Sequence, residues 1–172
     1  MNIYGYCRIS TAKQSIDRQI RNIKAEYPTA HIVQEAYTGT SIFRPEWLKL
    51  YRILKSGDMV VFDSVSRMSR NAEEGFALYE DLYHKGIRLV FLKEHHIDTE
   101  TYKKALSGSI AMTGTNVDFI LKGINEYLMA LAKEQIKLAF EQSEKEVADL
   151  HQRTREGLLT ARLNGKQVGR KK

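Results

Sequence analysis

Residues Gly57–Asn71 read GDMVVFDSVSRMSRN, and this stretch changes abruptly from apolar to polar side chains. Met59–Phe62 is a continuous apolar run, which is typical of a strand that is buried on both faces of a sheet. The polar stretch 63–71 follows it directly. Because α/β proteins place their functional sites beyond the carboxyl ends of parallel strands, these residues predict a buried strand and part of a site.

Outward from this strand, apolar runs alternate with segments of helical periodicity along residues 1–98. The predicted strands lie at 2–8, 31–33, 59–62 and 87–92, and the predicted helices lie at 15–26, 45–54 and 76–83. This β-α-β-α-β-α-β order predicts an α/β fold, with a mostly parallel sheet of four to five strands and helices on both faces. Its carboxyl edge would carry residues 8–10, 36–44, 63–70 and 93–98.

The C-terminal part of the chain contains no proline after residue 117 and has a strongly helical composition. We expect an α/β domain at 1–116 that is irregular from 99 onward, a long helix at 117–163, and the start of a basic arm at 164–172. An unbroken helix would extend about 69 Å, whereas a compact domain has a radius of gyration of about 13 Å. A second copy is therefore expected to cover its apolar residues, which makes it a dimerisation helix. The alternative is a hairpin of two helices, broken near Gly123.

The net charge of +6 is concentrated at the C-terminal end of the sequence. Residues 151–172 contain seven basic residues and one acidic residue, Glu156, whereas the rest of the chain is balanced. Charge gathered in one segment favours a polyanion partner, with nucleic acid as the first candidate, and a solvated helix face is the alternative. The basic residues are Arg153, Arg155, Arg162, Lys166, Arg170, Lys171 and Lys172.

The remaining composition argues against several classes of protein. The single cysteine, Cys7, excludes an intramolecular disulfide, and no apolar run reaches the length of a membrane span. No secretory signal is recognisable, so we expect a cytoplasmic protein with no membrane partner. The segment 108–115 lacks the lysine and the spacing of a phosphate-binding loop, and the five histidines lack metal-ligand spacing. We therefore expect no cofactor and no metal.

Arginines at two predicted strand ends are the main candidates for chemistry. Arg8 lies two residues before Ser10, and Arg67 and Arg70 are spaced so that they can point the same way from the start of a helix. Forked, permanently charged guanidiniums suit a phosphodiester, whose equatorial oxygens gain charge in the transition state. Ser10 would then be the nucleophile. Taken singly, each arginine has the ordinary alternative of a surface charge.

Three motifs follow one another in the chain. They are YGYCRIST at 4–11 with QSIDRQ at 14–19, GDMVVFDSVSRMSRN at 57–71, and RTREG at 153–157 followed by GK at 165–166 and GRK at 169–171. Together they resemble the motifs of the serine recombinases, the resolvase–invertase family, including its larger integrase- and transposase-type members. The resemblance implies site-specific DNA recombination in which Ser10 attacks a phosphodiester and becomes joined to the 5′ phosphate. It implies no need for a metal or ATP, because the phosphoserine keeps the bond energy.

The resemblance also implies roles for individual residues and for partners. It matches Arg8, Arg67 and Arg70 with the phosphate-binding arginines of the family. The matched supporting positions are Tyr6, Gln14, Gln19, Arg44 and Asp58. From the residues alone, the two glutamines either orient a phosphate or the serine, or lie on a helix surface. The implied partners are double-stranded DNA, a second copy in a homodimer formed through the long helix, and a tetramer in the synaptic complex, with the basic arm in the minor groove.

Two positions depart from the family pattern. Ser66 stands where the family usually has an aspartate that is a candidate acid–base group, and Asp63 lies three residues away. Glu144-Lys145 is the nearest match to a Glu-Arg pair in the long helix. Ser66 motivates an alternative from a different class, a catalytically silent DNA-binding or dimerisation module with the same fold. A more distant alternative is a phosphate-binding signalling domain that does not act on DNA.

Overall fold

The computed structural model describes residues 1–9, 15–36, 44–107 and 111–165, and it confirms the predicted alternation of strands and helices. The strands are β1 (Ile3–Ile9), β2 (His31–Ala36), β3 (Met59–Phe62) and β4 (Arg88–Phe91). The helices are α1 (Asp17–Glu26), α2 (Pro45–Ile53), α3 (Val65–Met68), α4 (Ala72–His84), α5 (Thr99–Ser107) and α6 (Asp118–Leu163). A 3-10 turn spans His95–Ile97 between β4 and α5.

The four strands form one parallel sheet in the order β2-β1-β3-β4, as the α/β prediction requires. The chain first steps from β1 to β2 and then returns across β1 to β3, so the direction of winding reverses between β1 and β3. A reversal of this kind opens a crevice at the carboxyl ends of the two strands, which is where α/β proteins bind their ligands. The topology therefore places the carboxyl ends of β1 and β3 side by side.

Helices cover both faces of the sheet, and β3 shows the division most clearly. Val60 and Phe62 point into the larger core, which α2, α4 and α6 complete. Met59 and Val61 point to the opposite face, where Ile23 of α1 is buried against them. Because every residue of β3 is buried, the strand reads in sequence as a continuous apolar run.

Helix α6 runs unbroken for 46 residues, so the hairpin alternative with a break near Gly123 is wrong. Its buried residues all lie near the middle of the helix and are Ile136, Ala139, Phe140 and Ser143. The ring of Phe140 packs against Gly75 of α4, where an added Cβ would lie 2.4 Å from a ring carbon. Only a glycine permits this approach, which fixes where α6 crosses the domain.

Two short helices lie in segments to which the sequence pattern assigned no helix of their own. Residues 99–116 were expected to be irregular, but α5 occupies the first half of that range. Tyr102 of α5 packs edge-on against Tyr83 and Tyr79, with ring centroids 5.0 and 6.3 Å apart. The polar stretch 63–71 contains α3, a single turn. Helices this short owe their stability to tertiary packing, which is why periodicity does not reveal them.

Candidate active site

The crevice at the carboxyl ends of β1 and β3 gathers four arginines from three parts of the chain. Arg8 lies near the end of β1, Arg44 immediately precedes α2, Arg67 lies in α3, and Arg70 lies between α3 and α4. The charges of the other three all lower the pKa of Arg8, so each of them lies within electrostatic range of Arg8. We call these four residues the arginine cluster.

Arg8 is completely buried beneath α3. Its Nε donates to the carbonyl oxygen of Arg67 at 3.2 Å, and its Nη2 donates to the carbonyl oxygen of Ser66. Burial, followed by the neighbouring charges of Arg44, Arg70 and Arg67, lowers the pKa of Arg8 to about 9. Burial and the neighbouring cations thus make the positive charge of Arg8 unfavourable. An anion bound nearby would offset this electrostatic cost.

Arg44 is also completely buried, and its partners are neutral. Its Nη1 donates to the carbonyl of Arg67 at 3.1 Å and to the hydroxyl of Tyr6 at 3.2 Å, while Nη2 donates to the carbonyl of Met68. The guanidinium carbon lies 5.5 Å from the ring centroid of Tyr6 and 5.9 Å from that of Trp47. Burial raises the pKa of Tyr6 to about 12, so its hydroxyl stays protonated.

Arg67 and Arg70 complete the cluster with hydrogen-bond donors to spare. Nη1 of Arg67 donates to the carbonyl of Arg8 at 3.2 Å, but the buried Nε atoms of Arg67 and Arg70 have no hydrogen-bond partner. Burial lowers the pKa of both residues. Within the described ranges, no ion pair joins Arg44, Arg67 or Arg70 to a carboxylate. Guanidiniums that are gathered without ion pairs to carboxylates leave an excess of positive charge at this edge of the sheet, which favours an anion.

Gln19 fastens the end of β1 from helix α1. Its Oε1 accepts from the backbone N–H of Arg8 at 3.0 Å, and its Nε2 donates to the Arg8 carbonyl at 2.9 Å. The side chain is buried, so the helix-surface alternative is wrong for this glutamine. Ser10 and Gln14, the other predicted residues of this region, lie outside the described residues.

Asp58 lies away from the crevice, so the structure does not bring this predicted supporting residue together with the arginine cluster. It immediately precedes β3 and is therefore at the amino edge of the sheet, while the arginine cluster lies at the carboxyl edge. The four residues of β3 separate the two edges by about 13 Å. Its carboxylate accepts from the N–H groups of Asn2 and Lys55 at 2.8 and 3.0 Å, which ties the start of β1 to the turn before β3.

Two buried carboxylates beside the cluster were not predicted. Glu35 accepts from the N–H groups of Glu46 and Trp47 at 2.8 and 3.0 Å, and so caps the start of α2 next to Arg44. The predicted second strand ended at 33, whereas β2 continues to 36 and places Glu35 at the carboxyl edge. An acidic residue at the end of a strand was the available signal for it.

Asp63 is the second of these carboxylates, and its side chain is fully buried after β3. It accepts from Nη2 of Arg18 at 3.3 Å and from Nδ2 of Asn22 at 2.8 Å, so α1 holds both of its oxygens. Ser66, at the position where the family pattern has an aspartate, has its Oγ 2.9 Å from Oγ of Ser64. The carboxylate of Asp63, three residues before Ser66, is turned toward α1 by its bonds to Arg18 and Asn22.

Helix α6 connects the crevice to the basic residues at the C-terminal end. Oε2 of Glu144 accepts from the N–H of Ala72 at 3.1 Å, which joins the middle of α6 to the start of α4. Beyond residue 147 the helix is almost entirely solvent-exposed. Arg153, Arg155 and Arg162 lie on this exposed part, and Lys166, Arg170 and Lys171 lie outside the described residues.

No metal site or membrane helix accompanies these features in the part of the chain that the structure describes. There, no three His, Cys, Asp or Glu side chains are grouped so that they could hold a metal ion. None of the described helices is long and apolar enough to cross a bilayer.

Comparison with known proteins identifies the family. The model of the Resolvase N-terminal domain family matches residues 3–137. A resolvase from Clostridium perfringens is 28% identical over 170 residues, covering 98% of this chain and 76% of the relative. The transposon Tn21 resolvase of Escherichia coli is 27% identical over 168 residues, covering 98% of this chain and 74% of the relative. A solved structure of a resolvase family site-specific recombinase from Streptococcus pneumoniae covers 93% of this chain and 97% of its own, with 20% identity and a TM-score of 0.46. Because the family model spans well over half of the sequence, the chain belongs to the resolvase family of site-specific recombinases.

Proposed function

We propose that this protein cuts and rejoins double-stranded DNA at specific sites through a covalent 5′-phosphoserine intermediate on Ser10. The Ser10 Oγ attacks the phosphorus, the new P–Oγ bond forms, and the P–O3′ bond breaks. The serine hydroxyl releases its proton and O3′ takes one up. In the reverse step a 3′ hydroxyl of the recombining strand attacks the phosphoserine and restores the free serine. One ester replaces another in each step, so no ATP is required, and in this proposal the guanidiniums supply the charge stabilisation that a metal gives in other phosphoryl transfers.

The observation that carries this proposal is the arginine cluster at the carboxyl ends of β1 and β3. Arg8 is two residues before Ser10, and it lies in contact with α3, which bears Arg67. A phosphodiester in this crevice would meet the positive charges of Arg8 from β1 and of Arg67 and Arg70 from the segment after β3. Donors fixed in a buried site stabilise the charge that develops on the phosphoryl oxygens, because they need no reorganisation during the reaction.

The other residues of the site support the phosphate-binding arginines. Arg44, Tyr6 and Gln19 hold the backbone of α3 and of β1, and Gln14 is assigned to the same group by position in the motif. The guanidiniums are therefore already in place before a phosphate binds, so binding does not have to bring them together. The proposal places the protein with its DNA in the cytoplasm.

Helix α6 is proposed to join two copies and to lead each of them to DNA. The N-terminal half of the helix exposes large apolar side chains that a second copy would cover; these are Phe119, Ile120, Ile124, Tyr127 and Leu131. A tetramer would then pair two DNA sites. The basic residues of the C-terminal end, from Arg153 onward, would contact backbone phosphates, giving affinity that decreases steeply with salt.

Ser66 favours one second candidate, a module that binds DNA and dimerises without cutting. A hydroxyl replaces the carboxylate that the family pattern offers for proton transfer, and Asp63 is held by α1. In such a module the arginine cluster would anchor a phosphate without any covalent step.

Covalent trapping separates the two candidates. The chain is incubated with a duplex selected from a random pool for tight binding, and the products are separated under denaturing conditions. A recombinase gives a protein–DNA adduct that Ser10→Ala abolishes. The control is Ser15→Ala, which should leave the adduct intact, because Ser15 is an exposed serine of the same segment. DNA binding without an adduct in the unmodified chain would support the silent module and overturn the proposal.

A further inference from the structure

The short helix α3 is held at its start by a carboxylate from a different strand. Glu94 lies three residues after β4, and its Oε2 accepts from the backbone N–H of Val65, the first residue of α3, at 3.0 Å. Ser64 occupies the position from which a serine normally caps a helix, but its side chain makes no capping bond. Its hydroxyl is paired with that of Ser66 instead. The anchor of α3 therefore comes from the carboxyl end of β4.

This anchor matters because α3 supplies most of the partners of the arginine cluster. The carbonyls of Ser66, Arg67 and Met68 accept from the guanidiniums of Arg8 and Arg44. A helix of one turn does not hold its conformation unaided, because nucleation fixes several residues for a single hydrogen bond. A shift of α3 would move the Arg67 guanidinium and the carbonyl oxygens that aim Arg8 and Arg44.

We infer that Glu94 is a positioning residue of the arginine cluster, acting through its hydrogen bond to Val65 and the resulting placement of α3. Its consequence for DNA cleavage rests on the proposed function, whereas its consequence for the geometry of the cluster does not. In this proposal Glu94 does not contact the phosphate. It holds α3 in the position that lets the guanidiniums of the arginine cluster bind an anion.

The surroundings of Glu94 make the anchor sensitive to pH. Glu94 lines a cleft of about 450 Å³ between the carboxyl edge of the sheet and α6, together with Arg67, Lys93, His96 and Glu146. Burial is the largest influence on the carboxyl group and raises its pKa; Asp63 also raises it, whereas the Val65 N–H, Lys93 and His96 lower it. A protonated carboxyl is a weaker acceptor than a carboxylate. Placement of α3 should therefore weaken as the pH falls through this raised pKa.

Two substitutions separate positioning from simple structural support. Glu94→Gln keeps an oxygen that can accept from Val65 and removes the titration, whereas Glu94→Ala removes the acceptor. Glu73→Ala is the matched control, because Glu73 is an exposed acid in the first turn of the adjacent helix α4. Each variant is measured as the full chain in three assays: single-turnover DNA cleavage against pH, stabilisation by sulfate, and deuterium uptake of residues 63–71.

Glu94→Ala should slow cleavage by up to about 100-fold, the scale expected when catalytic groups are misplaced by about 1 Å. It should also speed deuterium uptake in 63–71 and reduce stabilisation by sulfate. Glu94→Gln should cleave within about threefold of the unmodified chain at neutral pH and lose the decline at acid pH. Glu73→Ala should match the unmodified chain throughout.

Three results would overturn the inference: unchanged cleavage and uptake in Glu94→Ala, an acid decline that persists in Glu94→Gln, or equal impairment of the two variants. If Glu94→Ala does not fold, the pH profile of Glu94→Gln decides. If the unmodified chain cuts no DNA, the proposed function fails, while sulfate stabilisation and deuterium uptake still judge the role of Glu94.

Discussion

Replacing Gln19 by leucine should loosen the end of β1, which directly precedes the proposed nucleophile, Ser10. Gln19 is only 4% exposed, and its amide bonds to both backbone groups of Arg8, at 3.0 and 2.9 Å. Leucine occupies nearly the same space but offers neither the acceptor nor the donor. The change therefore removes two hydrogen bonds from a buried position without creating a large cavity.

The cost can be worked out group by group. The N–H of Arg8 would be left without its acceptor, which costs about 1–3 kcal/mol for a buried donor. The carbonyl of Arg8 still accepts from Nη1 of Arg67, so it loses one ordinary hydrogen bond of about 0.5–1.5 kcal/mol. The total is about 1.5–4.5 kcal/mol, below the ~5–15 kcal/mol that keeps a typical domain folded. In a domain of this size it corresponds to a fall in Tm of roughly 3–18 °C.

Thermal unfolding followed by circular dichroism measures this change. Gln152→Leu is the control, because Gln152 is exposed and donates only to Glu156 one helical turn away, at 2.9 Å. Surface pairs of this kind contribute a few tenths of a kcal/mol, so the control should melt within about 2 °C of the unmodified chain. A Gln19→Leu variant that melts as high as the control would refute the view that this amide fastens β1.

Three further predictions follow from the packing, the charges and the long helix. Gly75→Ala should lower the Tm and increase deuterium uptake in α6, because the alanine Cβ would overlap the ring of Phe140. Adding Phe140→Leu should restore part of the lost Tm, and an unchanged Tm in Gly75→Ala alone would contradict the close approach. Stabilisation by sulfate should shrink in Arg70→Gln, because a bound anion offsets the burial and the neighbouring charges that lower the pKa of Arg8, and an undiminished effect of sulfate would argue against the cluster as an anion site. Glutamate at Leu128 and Leu131 should yield monomers in sedimentation velocity, and an unchanged oligomeric state would contradict dimerisation through α6.

The sheet and its functional edge were predictable because both depend on patterns that are local in sequence. The apolar run Met59–Phe62 marks a strand buried on both faces, and the rule that parallel strands place sites at their carboxyl ends then locates Arg8 and Arg67. The long helix was predictable for a similar reason, since a segment without proline and with helical composition leaves few alternatives. The family model, which matches residues 3–137, confirms the resemblance that the first two motifs carried.

The contacts between distant segments were not predictable from pattern. Arg44 entered only through the family resemblance, because nothing in its local sequence shows that it is fully buried against Tyr6 and α3. Glu35 was missed because the predicted strand ended at 33, and Asp58 entered only through the resemblance, although a residue before a strand lies at the opposite edge from a residue after it. Burial of this kind is decided by which elements meet in three dimensions, and one sequence does not display it.

Mass spectrometry of the covalent product tests the central claim most directly. The adduct formed on the selected duplex is digested with nuclease and then with trypsin, which releases the peptide spanning residues 9–13. The account predicts a nucleotide joined to this peptide through its 5′ phosphate, with fragmentation placing it on Ser10 and not on Thr11. A nucleotide found on any other residue, or cut DNA with no nucleotide attached to the protein, would contradict the account.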